Sequence, residues 1–418
     1  APLDSSSSEP LLLEIETRQA LGDSQGAVQL MDSLAITLNS QCSPREGSLG
    51  RGLCSSLRGR LINSLESQLI EGISPLATQQ RASSLSSLVS RPSELALDAM
   101  EKASLLVGEL LRMSSAGVSS GTAAKLLGSI SSLLDGTSGE AQAETIEPSL
   151  NLTNCSRCLA ALRTERLRNH TVRLAELVLE GRAVGEVPTA FSTPSVAIRA
   201  RRDDPCRVEN TSLEAAPFKG GGGEGSVLLP QGTLCTSRAG RRMQAASSCG
   251  ETSVSLLLLT FKTVARAVSP QEALGTPVYS VQVKQCGEER RVSDTTSPIR
   301  LRMTPLPHTS ASRCPLPPSS PSLPSYPPVA PNDGCATGNC SEHSDCHAPG
   351  GECLKGRCVC QPGFLGSQCE IATSCRYWDA SRQAYSTEGV APSPSPPGAP
   401  RGLLYCESTH LTDFGMPN

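Results

Sequence analysis

The sequence predicts an α+β chain of several domains. A helical N-terminal part precedes a part built of β-strands, and a small cysteine-rich module follows; the antiparallel β-sandwich expected of those strands rests on a resemblance given below. Three observations predict this order. Up to about residue 180, apolar side chains recur at the three- and four-residue spacing of helices. From about residue 190 they alternate, as strands with one buried face require. Further on, six cysteines crowd into the stretch from Cys340 to Cys369.

The helices come first. An opening apolar run extends from Leu11 to Leu38. From Leu53 the stripe Leu57, Leu61, Leu65 and Leu69, with Ile62 and Ile70 beside it, predicts a helix that stops near Gly72. Another is expected after Pro92, with Ser93 as its cap and Glu94 in its first turn, carrying Ala96, Ala99, Ala103, Leu106, Val107 and Leu110 on one face. Leu126, Leu127, Ile130, Leu133 and Leu134 outline the next. Leu159, Leu162, Val172, Leu174, Leu177 and Val178 outline a last one before Gly181.

Four strands are then legible, at Val196–Ala200, Val254–Leu258, Tyr279–Val283 and Ile299–Met303. In the second of them Leu257 and Leu259 fill the other face as well, which predicts burial on both sides. The glycine run Gly220-Gly221-Gly222-Gly223 lacks a following Lys-Ser/Thr, so it reads as a hairpin tip and not a phosphate cradle.

At 418 residues the chain exceeds one ordinary core. A net charge of −3 points to neither nucleic acid nor an anionic membrane surface as a partner. Aromatic residues make up 3%, so aliphatic side chains must fill the core. Eighteen cysteines indicate an oxidising compartment. Acceptor patterns for N-glycosylation at Asn151, Asn154, Asn169, Asn210 and Asn339 agree with secretion. The start at Ala1 reads as that of a processed or excised fragment. The longest run of large apolar residues, Leu256-Leu257-Leu258-Leu259, is far short of the roughly 20 that a spanning helix needs.

Cys340, Cys346, Cys353, Cys358, Cys360 and Cys369 are separated by 5, 6, 4, 1 and 8 residues, with Gly363, Phe364 and Gly366 in the last loop. This block resembles an EGF-like domain. The resemblance implies pairing of Cys340 with Cys353, Cys346 with Cys358, and Cys360 with Cys369. So small a module cannot build a sufficient hydrophobic core, and bridges substitute for one. Zinc is disfavoured because Cys-x2-Cys spacing is absent from the block, and calcium because Asn332-Asp333 only faintly echoes an acidic pair. Cys155 and Cys158 read as a structural disulfide and not a redox pair. Cys335 is expected to pair with Cys314, whereas the connectivity of Cys42, Cys54, Cys206, Cys235, Cys249 and Cys286 stays open. No cofactor or metal is expected.

The residues richest in chemistry stand at the C-terminus: His410, Leu411 and Thr412. A threonine hydroxyl is a poor nucleophile unless a neighbouring base takes its proton, and imidazole, with an ordinary pKa of about 6.5, suits that task. With Cys375-Arg376-Tyr377-Trp378-Asp379, Tyr385-Ser386-Thr387-Glu388-Gly389, Tyr405-Cys406 and Asp413-Phe414, this triplet resembles the GPS motif that closes a GAIN domain in adhesion-type receptors and polycystin-like proteins. The resemblance implies self-cleavage between Leu411 and Thr412, a disulfide from Cys375 to Cys406, and a helical subdomain followed by a β-sandwich. Two of the motif's four cysteines are missing: Val390 stands where the second is expected and Ser408 where the fourth is expected. If the motif's bridges join first to third and second to fourth, the resemblance implies that one whole bridge has been lost, and a Pro-rich insert, 391–400, lengthens the hairpin between the two halves of the motif.

The expected domains are a helical subdomain over 1–188, the first part of the sandwich over 189–313, a Pro-rich linker over 314–334, the EGF-like module over 335–370 and the GPS segment over 371–418. The linker favours extended polyproline II. Its Ser-Pro repeats resemble, in composition, the O-glycosylated surface glycoproteins of plants and green algae, which implies a cell-surface or ciliary-membrane location. The leading expectation is an extracellular adhesion or assembly region that cleaves itself and retains its last strand. Its partners would be extracellular proteins or filament components and a membrane channel, with a membrane segment following Asn418. The alternative is a structural filament glycoprotein with the turn uncut. A conventional enzyme is not expected, because His170, His308, His343, His347 and His410 are scattered and no Ser-centred elbow is present.

Overall fold

A computed structural model describes residues 5–42, 50–69, 74–114, 117–143, 156–235, 253–262, 277–285, 287–290, 292–293, 295, 297–304, 335–339, 351–354, 357–360, 364–365, 371–372, 375–379, 384–393 and 403–415. The chain is α+β, helical first and antiparallel β second. It divides into a unit built on Ala1–Arg202 and a unit built on Asp203–Lys262 and Val268–Asn418.

The first unit holds helices α1 (Ser5–Ala20), α2 (Ser24–Gln41), α3 (Arg51–Ser67), α4 (Pro75–Val89), α5 (Leu97–Met113), α6 (Ser120–Ala143) and α7 (Ser156–Glu180), then the hairpin of β1 (Thr189–Ser192) and β2 (Val196–Asp203). The opening run is two helices and not one. Gly22, at φ +80°, ends the first, and Asp23 caps the second by accepting a 2.9 Å hydrogen bond from the Gly26 amide. The fourth helix, whose apolar stripe is weak in the sequence, starts where Ser74 accepts from the Ala77 amide at 3.2 Å and Pro75 takes the first turn.

Ser93 does not cap α5. Pro92–Glu94 form a 3-10 turn, and α5 begins at Leu97 behind an Ala96 that has no side-chain cap. Glu94 turns inward instead to meet the fully buried Arg58, at 2.9 Å from Nη2. Arg58 also donates to the Asn39 side chain at 2.7 Å and the Leu88 carbonyl at 2.9 Å, so its charge is met on several sides. Burial pulls this guanidinium down from its ordinary pKa, and Glu94 opposes the fall. A disulfide from Cys42 to Cys54 ties the end of α2 to α3 beside this knot. On α7, Leu167, Leu174, Leu177 and Val178 are buried, but Leu159 and Leu162 of the expected stripe are exposed.

His170 of α7 sits half-buried with Nε2 at 3.1 Å from the Ser104 carbonyl of α5, and Gly108 makes room, since a Cβ there would lie 2.7 Å from the ring. Burial lowers the imidazole pKa below its ordinary 6.5, the Ser104 carbonyl working against the fall and Arg166 with it. The unfolded chain therefore binds a proton at pH values where the folded one does not. Stability contributed by the neutral ring is complete above the unfolded value and declines as pH falls through it toward the folded value. Urea midpoints at pH 7.5 and 5.5 are expected to separate less in His170→Gln than in the wild type.

The second unit opens with a short helix, α8 (Pro205–Val208), and contains β3 (Ser212–Glu214), β4 (Gly225–Leu228), β5 (Val254–Phe261), β6 (Val278–Gln285), β7 (Glu288–Glu289) and β8 (Ile299–Met303). Next come β9 (Cys335–Asn339), β10 (Gly351–Leu354), β11 (Arg357–Cys360), β12 (Phe364–Leu365) and β13 (Ile371–Ala372). The last strands are β14 (Arg376–Asp379), β15 (Ala384–Ser386), β16 (Val390–Pro392), β17 (Leu404–Ser408) and β18 (Asp413–Gly415). One sheet runs β5-β6-β18-β14-β15, with β7 also on β6; a five-stranded sheet runs β16-β17-β8-β4-β3. Their inner faces share one core, with Leu256, Leu258, Val281, Val283 and Phe414 from the first and Val227, Ile299, Leu301, Met303, Leu404 and Cys406 from the second. Leu257 and Leu259 are buried too, as a strand covered on both faces requires.

Tyr279, buried in this core, donates from its hydroxyl to the Glu224 carbonyl at 2.8 Å, and burial pushes its phenol pKa well up. The glycine run forms the β3–β4 tip, with all four glycines at positive φ and Phe218 and Gly222 joined by a 2.9 Å backbone bond. A Cys206–Cys235 disulfide closes the loop beyond β4. Between the last core strands, β9–β11 form a three-stranded sheet and β12–β13 a two-stranded one. The pairings expected for Cys155, Cys158, Cys314, Cys335 and the six cysteines from Cys340 to Cys369 lie outside the described residues, as do Asn151, Asn154 and the Pro-rich linker.

Candidate functional site

The triplet His410-Leu411-Thr412 lies where the chain changes sheets. Strand β17 ends at Ser408, paired with β8 and β16 in the five-stranded sheet. Strand β18 begins at Asp413, paired with β6 and β14 in the other. Residues 409–412 make the crossing, and hydrogen bonds hold it from both sides. The Thr409 amide donates to the Gly389 carbonyl at 2.9 Å, and the Thr295 amide donates to the Thr409 carbonyl at 3.3 Å. Immediately before the Leu411-Thr412 bond, the Leu411 amide donates to the Val292 carbonyl at 3.0 Å; immediately after it, the Thr412 carbonyl accepts from the Val281 amide at 3.2 Å. The Leu411 carbonyl and the Thr412 hydroxyl make no hydrogen bond to any described residue.

The imidazole of His410 is half-buried and enclosed by rings. Tyr377 of β14 stands edge-on at a centroid distance of 4.3 Å, and Phe414 of β18 lies at 6.4 Å. Its third wall is Gly389, at φ +72°, where a Cβ would lie 2.6 Å from the Thr409 hydroxyl and 3.0 Å from His410 Nδ1. Two demands, a left-handed backbone and a close approach, therefore fall on one glycine.

Cys375 and Cys406 form a disulfide with a Cα separation of 6.0 Å, both almost fully buried. It joins the residue before β14 to the middle of β17, and so ties the two sheets together beside the crossing. Val390 and Ser408, where two further cysteines are expected, are opposed Cα partners across β16 and β17. The sequence shows only that neither position is a cysteine and gives no sign of what the two residues do there. The Ser408 hydroxyl donates to the His410 carbonyl at 2.7 Å and accepts from the His410 amide at 3.2 Å. A serine two residues before the histidine is the one local signal for such a turn. Gly389 and Tyr377 are among the residues on which the expected motif is read, whereas the Val292 and Thr295 contacts, distant in sequence, carry no signal.

Of the expected glycosylation asparagines with described side chains, Asn169 is exposed on α7, and Asn210 is exposed at φ 58° after α8. Asn339 ends β9. Among the described residues no group of three or more His, Cys, Asp or Glu is placed to hold a metal, and no helix is long and apolar enough to cross a membrane.

No protein-family model matches the chain, and no curated protein matches it. Among solved structures it is similar to the full extracellular region of zebrafish Gpr126/Adgrg6, at 9% identity and a TM-score of 0.45, over 83% of this chain. The match covers 35% of that protein, so the chain spans about a third of its length.

Proposed function

We propose that this chain is an extracellular adhesion or assembly region of a polycystin-like surface protein, and that it cuts its own main chain between Leu411 and Thr412. One observation carries the reading: the triplet forms the crossing between two sheets, its flanks are pinned, and the segment beyond the cut is already a strand paired on both sides. The disulfides fit a chain that folds in an oxidising compartment.

The chemistry conserves atoms. His410 takes the Thr412 hydroxyl proton as Oγ1 attacks the Leu411 carbonyl carbon. The carbon–nitrogen bond then breaks, its electron pair stays on the Thr412 nitrogen, and the proton passes from His410 to that nitrogen. The resulting ester joins Leu411 to the Thr412 oxygen. Water splits it to a Leu411 carboxylate and a free hydroxyl. Holding nucleophile and carbonyl in one short, pinned crossing supplies the proximity the first step needs.

Intact mass spectrometry of the secreted chain in denaturant is expected to give one species ending at Leu411 and a peptide beginning at Thr412. Under native conditions the two are expected to migrate together. A single uncut mass would overturn the proposal and favour a filament glycoprotein with an intact turn.

A further inference from the structure

We infer that Ser408 is a positioning residue for this cleavage, its hydroxyl holding the base-bearing residue where a cross-strand bridge would otherwise stiffen the turn. The inference rests on the self-cleavage reading. It starts from the register. Val390 and Ser408 are opposed, and the residues flanking them are joined by the bond from the Thr409 amide to the Gly389 carbonyl. That pattern makes Val390 and Ser408 a non-hydrogen-bonded pair, the kind whose Cα atoms lie closest and whose side chains adjoin on one face. A bridge would fit there, and this chain has none.

What it has is a serine hydroxyl out of contact with water. Ser408 is 1% exposed, and its oxygen spends both its donor and an acceptor on one residue, His410. The backbone amide and carbonyl of the proposed base are thereby fixed to a strand end, and Gly389 closes the space behind the ring. Only Leu411 separates that base from the nucleophile. A small rotation of the His410 backbone therefore displaces the imidazole, and misplacement of a proposed base on the order of 1 Å costs as much as about a hundredfold in rate. Removing the hydroxyl frees that rotation while leaving the Cys375–Cys406 tie and the Val292 and Val281 contacts in place.

The test times cleavage of pulse-labelled, secreted chain by intact mass. Ser408→Ala is expected to slow the cut about tenfold or more, with the Cys375–Cys406 disulfide intact and a cooperative unfolding transition retained, whereas a merely structural role would lower the midpoint and leave the rate of the folded chain unchanged. Ser408→Thr, which keeps the hydroxyl, is expected to restore the rate. Val390→Cys/Ser408→Cys is expected to form a bridge and to cleave faster than the single variant Ser408→Cys, which has neither hydroxyl nor bridge; this pair decides the matter if the alanine variant fails to fold. Wild-type cleavage with an equal rate in folded Ser408→Ala overturns this inference alone, as does a bridged double variant no faster than Ser408→Cys. An uncut wild type overturns it together with the self-cleavage reading.

Discussion

Thr412→Ala is expected to abolish the cut, leaving the full-length mass alone in denaturant. Alanine removes the atom that, in the proposed mechanism, attacks the Leu411 carbonyl, and that mechanism offers no second route to the ester. The fold should survive the change, because the Thr412 interaction seen in the structure is made by its carbonyl, which accepts from the Val281 amide at 3.2 Å. Thr412→Ser keeps a hydroxyl on the same backbone and is expected to cleave. His410→Ala removes the proposed base and is expected to slow the reaction by roughly a hundredfold or more. Continued splitting at Leu411 in Thr412→Ala would sink the mechanism.

Phe414→Ala is expected to be the most damaging single change to the C-terminal strand. The ring is 1% exposed in the sandwich core, and its residue is paired with Tyr279 on one side and Tyr377 on the other. Truncating a phenylalanine in such a place costs about 3–5 kcal/mol, through lost burial and the cavity left behind. In a cleaved chain that loss falls on a segment held only by non-covalent contacts. Gel filtration of Phe414→Ala should therefore give a body lacking the peptide from Thr412 onward. The double variant Thr412→Ala/Phe414→Ala should keep the peptide, since its main chain is whole. Retention of the peptide by the cleaved single variant would mean that the ring is not what holds the strand.

The long elements are legible in the sequence because their apolar period is their packing. Leu57, Leu61 and Leu65 are buried on α3, and Leu126, Ile130 and Leu133 on α6, as their spacing requires. The alternation in β5, β6 and β8 likewise becomes the sandwich core. Expectation and structure part where a local rule meets a tertiary demand. Ser93-Glu94 carries the signature of a helix start, but the buried charge of Arg58 draws Glu94 into a 3-10 turn. Leu159 and Leu162 continue a stripe that packing does not use. The short strands β3, β16 and β18 are beyond reach, because three residues show no period. At the candidate site, the triplet stands out from its residue types alone. The Val390–Ser408 opposition and the Val292 and Val281 contacts require the register and the pairing of distant segments.

The position of β18 has a mechanical consequence. It is a three-residue inner strand, antiparallel to both neighbours, and its ladder bonds lie perpendicular to its axis. A load applied along the strand shears all of those bonds together and must drag the Phe414 ring through the core. A load applied across the sheet opens them one after another. For a cleaved chain, the direction of a tug would therefore matter as much as its strength: the same strand is a lock under one geometry and a zip under the other.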